Sequence, residues 1–316
     1  MNQVTSNLEK SLFREPKQWL KSFLKFSRPH TIIGTSLSVL ALFSIAIALR
    51  SISFNWISLI PLILAWIACL CGNVYIVGLN QLQDVSIDKI NKPNLPIASG
   101  EFSEKQAQWI VTITGILAII LAVISSQWLL LTIAVSLIIG TAYSLPPIRL
   151  KRFPFWAALC IFTVRGVIVN LGLFLHFNQT LNQQQSIPPA IWALTLFILV
   201  FTIAIAIFKD VPDLEGDKQY NITTFTLLLG KNTILNITRI IISVCYLGVI
   251  IASFLLLPDV NPLFVGMTHG SLFILLWWRS QNVELENKNS IAQFYQFIWK
   301  LFYLEYLLFP IACFLA

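Results

Sequence analysis

The chain has 316 residues, of which 57% are hydrophobic and only 11% are charged. A water-soluble domain carries roughly a quarter charged residues, so this composition excludes an ordinary soluble enzyme. The net charge of +7 is not concentrated in a basic domain, so the composition also excludes a nucleic-acid-binding protein. We interpret this charge as the asymmetry that orients a membrane protein.

Residues 1–30 are polar and basic, and we treat them as an N-terminal segment that precedes a membrane domain at 31–316. Its large apolar side chains recur with helical spacing at Trp19, Leu20, Phe23 and Leu24. This pattern predicts an amphipathic helix on an anionic membrane face, and it is equally compatible with a basic anchor that sets topology. We see no short apolar core with a small-residue cleavage site, so we expect no secretory signal.

Nine apolar segments follow, each long enough to cross a bilayer as a helix. They predict an all-α membrane protein with nine transmembrane helices at 31–50, 56–83, 107–124, 127–145, 154–177, 187–209, 233–257, 260–279 and 292–315. The second and the sixth segments each end in an acidic motif, four helices apart. This spacing predicts two four-helix pseudo-repeats followed by one further helix.

Positive charge is distributed unevenly between the two ends of these segments. With the N-terminus inside, every Lys and Arg except Arg50 and Arg165 lies in an inner loop or at a helix end beside one. Cytoplasmic loops carry an excess of Lys and Arg, so both acidic motifs are predicted to face the cytoplasm. The five cysteines fall in apolar segments without a C-x-x-C pair, so we expect buried thiols.

The first acidic motif closes the second segment. Asn80, Asp84 and Asp88 recur every fourth residue, so they are predicted to stack on one helical face, with Asp88 the most water-facing of the three. Removing carboxylates from water is costly, so their position at a membrane boundary indicates a function rather than packing.

The second acidic motif follows the sixth segment. Asp210, Asp213 and Asp217 are spaced to share a helical face as well. Facing acidic clusters repel unless cations lie between them, and carboxylate and amide oxygens suit Mg²⁺ together with substrate phosphates. The two motifs, with Asn80, therefore predict a Mg²⁺ site that holds a diphosphate. The alternative is that these acids only cap helices and pair with neighbouring lysines.

Basic and polar residues flank both motifs. Their positive charge would neutralise a departing diphosphate. These candidates for substrate binding are Lys92 after the first motif, Lys209 before the second, and Tyr143, Ser144, Arg149 and Lys151 around the loop between the fourth and fifth segments.

The two motifs, with the stretch 143–151, resemble those of the UbiA superfamily of intramembrane prenyltransferases. The resemblance covers essentially the whole chain. It implies nine helices around a central cavity that opens sideways to lipid, with a cytoplasmic cap formed by loops 2–3 and 6–7. It also implies Mg²⁺-dependent transfer from a prenyl diphosphate.

Within that superfamily, the stretches 26–35, 88–100 and 209–217 are similar to the homogentisate prenyltransferases of tocopherol and plastoquinone synthesis. Among these enzymes, they most resemble the cyanobacterial members that transfer a phytyl group. This resemblance implies phytyl diphosphate as donor and homogentisate as acceptor, with loss of the acetate carboxyl as CO₂. It also implies a multi-pass protein of a cyanobacterial inner or thylakoid membrane.

Four further residues are candidates for binding the acceptor. Arg165 lies deep in the fifth segment, where a charged side chain is functional by default; we expect it to bind the carboxylate of homogentisate or to reach the diphosphate. Asn170 lies on the same helix, five residues away. Arg28 and His30 lie where the first helix enters the membrane, and an imidazole suits ring deprotonation. Helix capping or headgroup contact is the alternative for these two.

Several functions remain open at this stage. Within the enzyme class they are a homogentisate geranylgeranyl- or solanesyltransferase, a naphthoate phytyltransferase and chlorophyll synthase. A membrane transporter is the alternative from another class, since intramembrane acids and a pseudo-repeat occur there too. The clustering of the acids at one face argues against it, because transporter sites lie near the midplane.

Overall fold

The computed structural model describes residues 16–50, 56–182, 186–212, 214 and 224–316. Within these ranges all regular structure is helical, and no strand occurs. We number the helices α1 (Pro16–Phe26), α2 (Pro29–Arg50), α3 (Leu59–Gln83), α4 (Val85–Asn91), α5 (Glu104–Ser125), α6 (Gln127–Ser144), α7 (Pro154–Phe162), α8 (Val169–Asn182), α9 (Pro189–Phe208), α10 (Phe225–Leu229), α11 (Lys231–Leu255), α12 (Pro262–Ser280) and α13 (Lys288–Phe314). A π turn at Thr163–Ile168 joins α7 to α8 without a break in the rod.

Eight helical stretches of the described chain are long and apolar enough to cross a membrane. They are Pro29–Leu49, Trp56–Gln83, Glu104–Ser125, Gln127–Ser144, Pro154–Leu181, Pro189–Phe208, Lys231–Leu255 and Lys288–Phe314. Each corresponds to one of the nine predicted segments, so the all-helical membrane architecture is confirmed.

The predicted segment 260–279 also forms a helix, α12, but it is not among these eight. Its middle is polar, with Thr268, His269 and Ser271, and Arg279 lies near its end. The His269 imidazole is buried and lies 2.9 Å from the carboxylate of Glu305 on α13. A buried pair of this kind satisfies polar groups inside the bundle but lowers the hydropathy of the helix that carries it.

Six of the spans surround a central cavity, and the others pack outside them. The inner ring runs α2, α3, α6, the α7–α8 rod, α9 and α13, and α13 closes it by packing against α2. Outside the ring, α5 packs on α3 and α6, whereas α11 packs on α9 and α12 packs on α13. The six helices of this ring therefore form the wall of the cavity.

Both acidic motifs lie where a span of the inner ring ends. Helix α3 ends at Gln83, and Asp84 leaves the helical region with φ −118° and ψ 18° before the short α4 begins. The first motif is thus split over two helices rather than stacked on one. Helix α9 ends at Phe208, so Lys209 and Asp210 lie in a turn instead of on the predicted helix. Pro212 accounts for this end, because proline disfavours helical geometry in the residue before it.

Helix α1 bears out the predicted amphipathic pattern, but its aromatic face packs on protein. Trp19 stacks on Phe23 with ring centroids 5.2 Å apart, and Trp19 and Phe26 both contact Phe102 in the loop before α5. Leu20 and Leu24 are left about half exposed on the other side. The N-terminal helix is therefore docked on the loop that follows the first acidic motif.

A polar contact reinforces this docking. Lys25 Nζ lies 2.6 Å from the carboxylate of Glu101, and the Ser22 hydroxyl donates to the same group. Burial acts to raise the pKa of Glu101, but the hydrogen bonds from Lys25 and Ser22 outweigh it, and the pKa is lowered from its ordinary value of 4.5. A lowered folded-state pKa means that the contact stabilises the fold above that ordinary value and is lost as the pH falls through the lowered one.

We therefore expect Glu101→Gln to lower the apparent melting temperature in detergent at pH 7 and to make no difference at a pH below the lowered pKa. Thermal unfolding of both proteins across pH measures this. Glu286→Gln is the matched control, because the Glu286 side chain is 96% exposed. A Glu101→Gln difference that stays constant with pH would contradict the assignment.

Candidate active site

The central cavity has a volume of about 1200 Å³. Basic side chains outnumber acidic ones along the part of its wall that the structure describes, whereas the wall formed by α6 and the α7–α8 rod is mainly apolar or small. A cavity with one charged and one apolar portion fits a ligand with an anionic head and a hydrocarbon tail.

Most of the residues predicted for the site line this single cavity. They are Arg28, His30, Asn80, Asp84, Asp88, Lys92, Tyr143, Arg149, Lys151, Arg165, Lys209 and Asp210. The two acidic motifs, more than 120 residues apart in the numbering, therefore contribute to the same wall. Asp88 is 5% exposed, so the expectation that it faces water is wrong.

Two predicted residues that the structure describes are not part of this wall. Ser144 and Asn170 are fully buried and do not line the cavity. The Asn170 amide donates to the carbonyls of Arg165 and Gly166 and accepts from Tyr306, which leaves it no group for a substrate. Asp213 and Asp217 lie outside the described residues.

Asp84 forms two ion pairs in the cavity. Arg149 Nη2 lies 2.9 Å from one carboxylate oxygen, and Lys151 Nζ contacts the other. Burial lowers the pKa of Lys151, although the Asp84 charge acts in the opposite direction. Two of the cations predicted to bind the diphosphate and one predicted metal ligand are thus joined in one partly buried ion-pair cluster.

Asp210, in the second motif, also has a cationic neighbour. Lys209 Nζ lies 3.1 Å from its carboxylate. Burial acts to lower the pKa of Lys209, but the charge and hydrogen bond of Asp210, together with Tyr143 and Tyr295, outweigh it, and the pKa stands well above its ordinary value. Lys209 is therefore positively charged at any physiological pH.

Arg28 lies at the junction between α1 and α2 and contacts Asn80, the amide of the first acidic motif. Its guanidinium donates to Asn80 Oδ1 at 3.3 Å, and its backbone has a φ of +53°. A non-glycine residue in this left-handed region costs about 1 kcal/mol or more, and such strain is concentrated at functional sites. The Arg28 side chain lines the cavity.

The donors of the two motifs fit a hard divalent cation in their chemistry. Asn80, Asp84, Asp88 and Asp210 offer only amide and carboxylate oxygens, and Mg²⁺ prefers such ligands together with water and phosphate oxygens. Within the described ranges, no group of three or more His, Cys, Asp or Glu side chains lies close enough to hold a metal by itself. The donor set thus fits an ion held jointly with a phosphate ligand.

Arg165 lies in the aromatic portion of the cavity, away from these acids. Its guanidinium carbon is 4.7 Å from the ring centre of Trp299 and 5.5 Å from that of Phe302, both on α13. No carboxylate of the described residues pairs with it. The His30 ring lies on the same tryptophan, with centroids 4.9 Å apart. This arrangement presents one cation and several aromatic faces to a ligand.

Sequence reasoning missed several cavity residues. Asn73 donates to the Thr31 hydroxyl at 3.1 Å, and it lies seven residues before Asn80 on the same face of α3, so helical spacing was a usable signal. The aromatic wall of α13 comprises Tyr295, Trp299, Phe302 and Tyr306. Its helical spacing was visible too, but aromatic residues are abundant in this chain and periodicity does not say which row faces inwards.

Comparison with known proteins agrees with this geometry. The model of the UbiA prenyltransferase family matches residues 37–301. The chain is 55% identical over 297 residues to homogentisate phytyltransferase from Synechocystis sp., covering 94% of this chain and 96% of that protein. It is 39% identical to homogentisate phytyltransferase 1 from Arabidopsis thaliana, over 96% of this chain and 78% of that one.

A solved structure shares the fold. The UbiA homolog from Archaeoglobus fulgidus bound to GPP and Mg²⁺ superposes with a TM-score of 0.61 and 16% sequence identity, covering 93% of this chain and 100% of that one. The matched family model, the identities and the shared fold lead to one conclusion: this chain is an integral membrane protein that belongs to the UbiA prenyltransferase family.

Proposed function

We propose that this protein transfers a phytyl group from phytyl diphosphate to homogentisate, with Mg²⁺ and with loss of CO₂, to give 2-methyl-6-phytylbenzoquinol of the tocopherol pathway. The single observation that carries the proposal is the 55% identity to a homogentisate phytyltransferase across nearly the full length of both chains. The composition of the cavity supports it independently.

The charged portion of the cavity is suited to the diphosphate. Asn80, Asp84, Asp88 and Asp210, joined by Asp213 and Asp217, would hold Mg²⁺, which supplies positive charge to the leaving diphosphate when bound. Arg28, Lys92 and Lys209 add cations along the same wall. Arg149 and Lys151 contact Asp84 now, and a diphosphate beside them would compete with that carboxylate for the same donors.

The apolar wall is suited to the phytyl chain and to the cation that forms when the allylic C–O bond breaks. Residues such as Ile139, Ala158 and Ile161 give this wall an apolar surface that can contact a hydrocarbon and offers it no nucleophile. The rings of Trp299 and Phe302 present π faces that stabilise positive charge. Exclusion of water protects the cation until the aromatic ring attacks it.

The aromatic portion is suited to the acceptor. Arg165 is a cation without a carboxylate partner among the described residues, so the carboxylate of homogentisate would be its counter-ion. The His30 imidazole lies on the same Trp299 ring and is our candidate for assisting loss of the ring proton. Asn170 is not retained as a ligand of the substrate.

The finer architecture and its orientation are part of the same proposal. We count α12 as a ninth transmembrane helix and divide the membrane domain, 31–316, into two four-helix units and a final helix, with 1–30 as the N-terminal segment. The packing of α5 on α3 and of α11 on α9 supports this division, because each outer helix follows an inner one that ends in an acidic motif. The charge distribution supports a cytoplasmic position for the acidic motifs and their cap, and the similarity to a cyanobacterial relative supports an inner or thylakoid membrane.

The purified protein should form the prenylated quinol from phytyl diphosphate and homogentisate only when Mg²⁺ is present. A matrix of donors and acceptors read by mass spectrometry tests this. Greater turnover with geranylgeranyl or solanesyl diphosphate, or with a naphthoate or chlorophyllide acceptor, would assign a neighbouring activity. The absence of any transfer would favour the transporter.

Within that assay, Asp84→Asn keeps the size of the side chain but removes its charge. We expect it to lower kcat/KM by about 100-fold or more, because electrostatic groups that act on a leaving group contribute on that scale. Glu286→Gln should have no effect, since its carboxylate lies outside the cavity. Full turnover by Asp84→Asn at limiting Mg²⁺ would refute the metal-binding role.

Arg165→Leu should raise the KM for homogentisate by roughly 10- to 100-fold, because a hydrogen bond to a charged group contributes about 1.5–3 kcal/mol, while the KM for phytyl diphosphate stays unchanged. Steady-state kinetics with each substrate varied in turn measures both constants. Arg239→Leu is the matched control, because Arg239 also lies over a tryptophan, at 5.1 Å from Trp277, but outside the cavity. An equal rise in both constants would move Arg165 to the donor site.

Arg28→Gly should separate stability from activity. It relieves the left-handed backbone and so is expected to stabilise the protein by up to about 1 kcal/mol, yet it removes a cation that faces Asn80 and should raise the KM for phytyl diphosphate. Arg28→Ala is the control, because it loses the same cation and keeps the strain. The measurements are the melting temperatures of the two variants and their KM values for phytyl diphosphate. Equal melting temperatures would exclude backbone strain at this position.

A further inference from the structure

The π turn at Thr163–Ile168 interrupts the hydrogen-bond register of the α7–α8 rod next to Arg165. In a regular α-helix the Val169 amide would donate to the carbonyl of Arg165, but here it donates to Val164, five residues back. One extra residue is thus accommodated in the turn. An α-helix rotates by about 100° per residue, so this residue changes the direction in which the side chains of the turn point relative to α8.

The carbonyl groups of the turn are satisfied by a side chain instead. Asn170 Nδ2 donates to the Gly166 carbonyl at 2.6 Å and to the Arg165 carbonyl at 3.2 Å. Asn170 Oδ1 accepts from the Tyr306 hydroxyl on α13 at 2.8 Å. Asn170 is 0% exposed and Tyr306 is 2% exposed, so neither bond competes with water.

Packing on the opposite side fits the same geometry. A Cβ added to Gly166 would lie 2.6 Å from the Leu199 Cα of α9, so α9 approaches the turn as closely as a glycine permits. The Arg165 guanidinium extends from the turn to the Trp299 and Phe302 rings of α13, the helix that also carries Tyr306. Helix α13 therefore contacts the Arg165 guanidinium and also, through Tyr306, the Asn170 side chain that bonds to the backbone of the turn.

We propose that Tyr306 and Asn170 are positioning residues: their hydrogen bonds hold the π turn that directs Arg165 to the carboxylate of the aromatic acceptor. This inference rests on the proposed function for the identity of the acceptor. The hydrogen bonds set the affinity for the acceptor and leave the diphosphate end of the cavity unaffected. π turns inside helices occur frequently at functional sites, which accords with this role.

The test uses Tyr306→Phe in the full chain, because it removes one hydroxyl and keeps the ring. Loss of a neutral hydrogen bond contributes on the order of 3- to 10-fold in an equilibrium, so we expect the KM for homogentisate to rise by that factor, with the KM for phytyl diphosphate unchanged and the melting temperature lowered by the loss of one buried bond. Amide hydrogen exchange of residues 163–170, measured without substrate, should become faster.

Tyr246→Phe is the matched control. Tyr246 is also fully buried and its hydroxyl has no hydrogen-bond partner among the described residues, so its loss should change neither KM value nor exchange in the π turn. In an Arg165→Leu background, Tyr306→Phe should add nothing to the homogentisate KM, because both changes act through the same guanidinium.

Three results would overturn the inference: additive effects in the double variant, an equal rise in both KM values, or unchanged exchange at 163–170. Failure of the wild-type protein to use homogentisate would instead refute the proposed function. In that case the exchange measurement, which needs no substrate, still decides whether Tyr306 and Asn170 hold the turn.

Discussion

The carboxylates that are partly buried in this helical bundle are paired with cations, because lipid and apolar side chains solvate a carboxylate poorly. Asp84 is paired with Arg149 and Lys151, and Asp210 with Lys209. Removing one member of such a cluster leaves the others uncompensated, at a cost that grows with burial. The cavity therefore keeps its carboxylates and its cations together, and this balance sets the surroundings of the diphosphate end.

In the proposed reaction the same balance would let the acidic residues exchange partners. The Asp84 carboxylate is engaged by two cations. A metal ion and a diphosphate offer the carboxylate and the cations new partners of opposite charge, so both sets of bonds can be exchanged rather than lost. Binding of a charged substrate to a largely apolar cavity is thereby made less costly, because its counter-charges are already desolvated.

The aromatic portion of the cavity depends on a different kind of restraint. Arg165 has no anion beside it among the described residues, and its direction is set by the backbone of a π turn and by the rings of α13. A guanidinium that lies over aromatic rings keeps the hydrogen-bond donors in its own plane available. In the proposed reaction, separation of this cation from the acidic motifs would give donor and acceptor distinct surroundings within one chamber.

Composition and periodicity determined the helical membrane architecture, because an apolar stretch of about 20 residues has few alternatives to a spanning helix. The sequence also predicted that Asp84, Asp88 and Asp210 belong to one site, because paired acids at the ends of apolar runs are costly, and the three line one cavity. Spacing could not show that Asp84 leaves the helix or that Asp88 is buried, because both follow from how α3 and α4 meet. Only the tertiary structure decided that Asn170 and Tyr306 bond to each other and that Arg165 lies over Trp299. These contacts join helices distant in sequence. The π turn beside them could not be predicted from the spacing of apolar residues, because the span around it is mostly apolar on all sides.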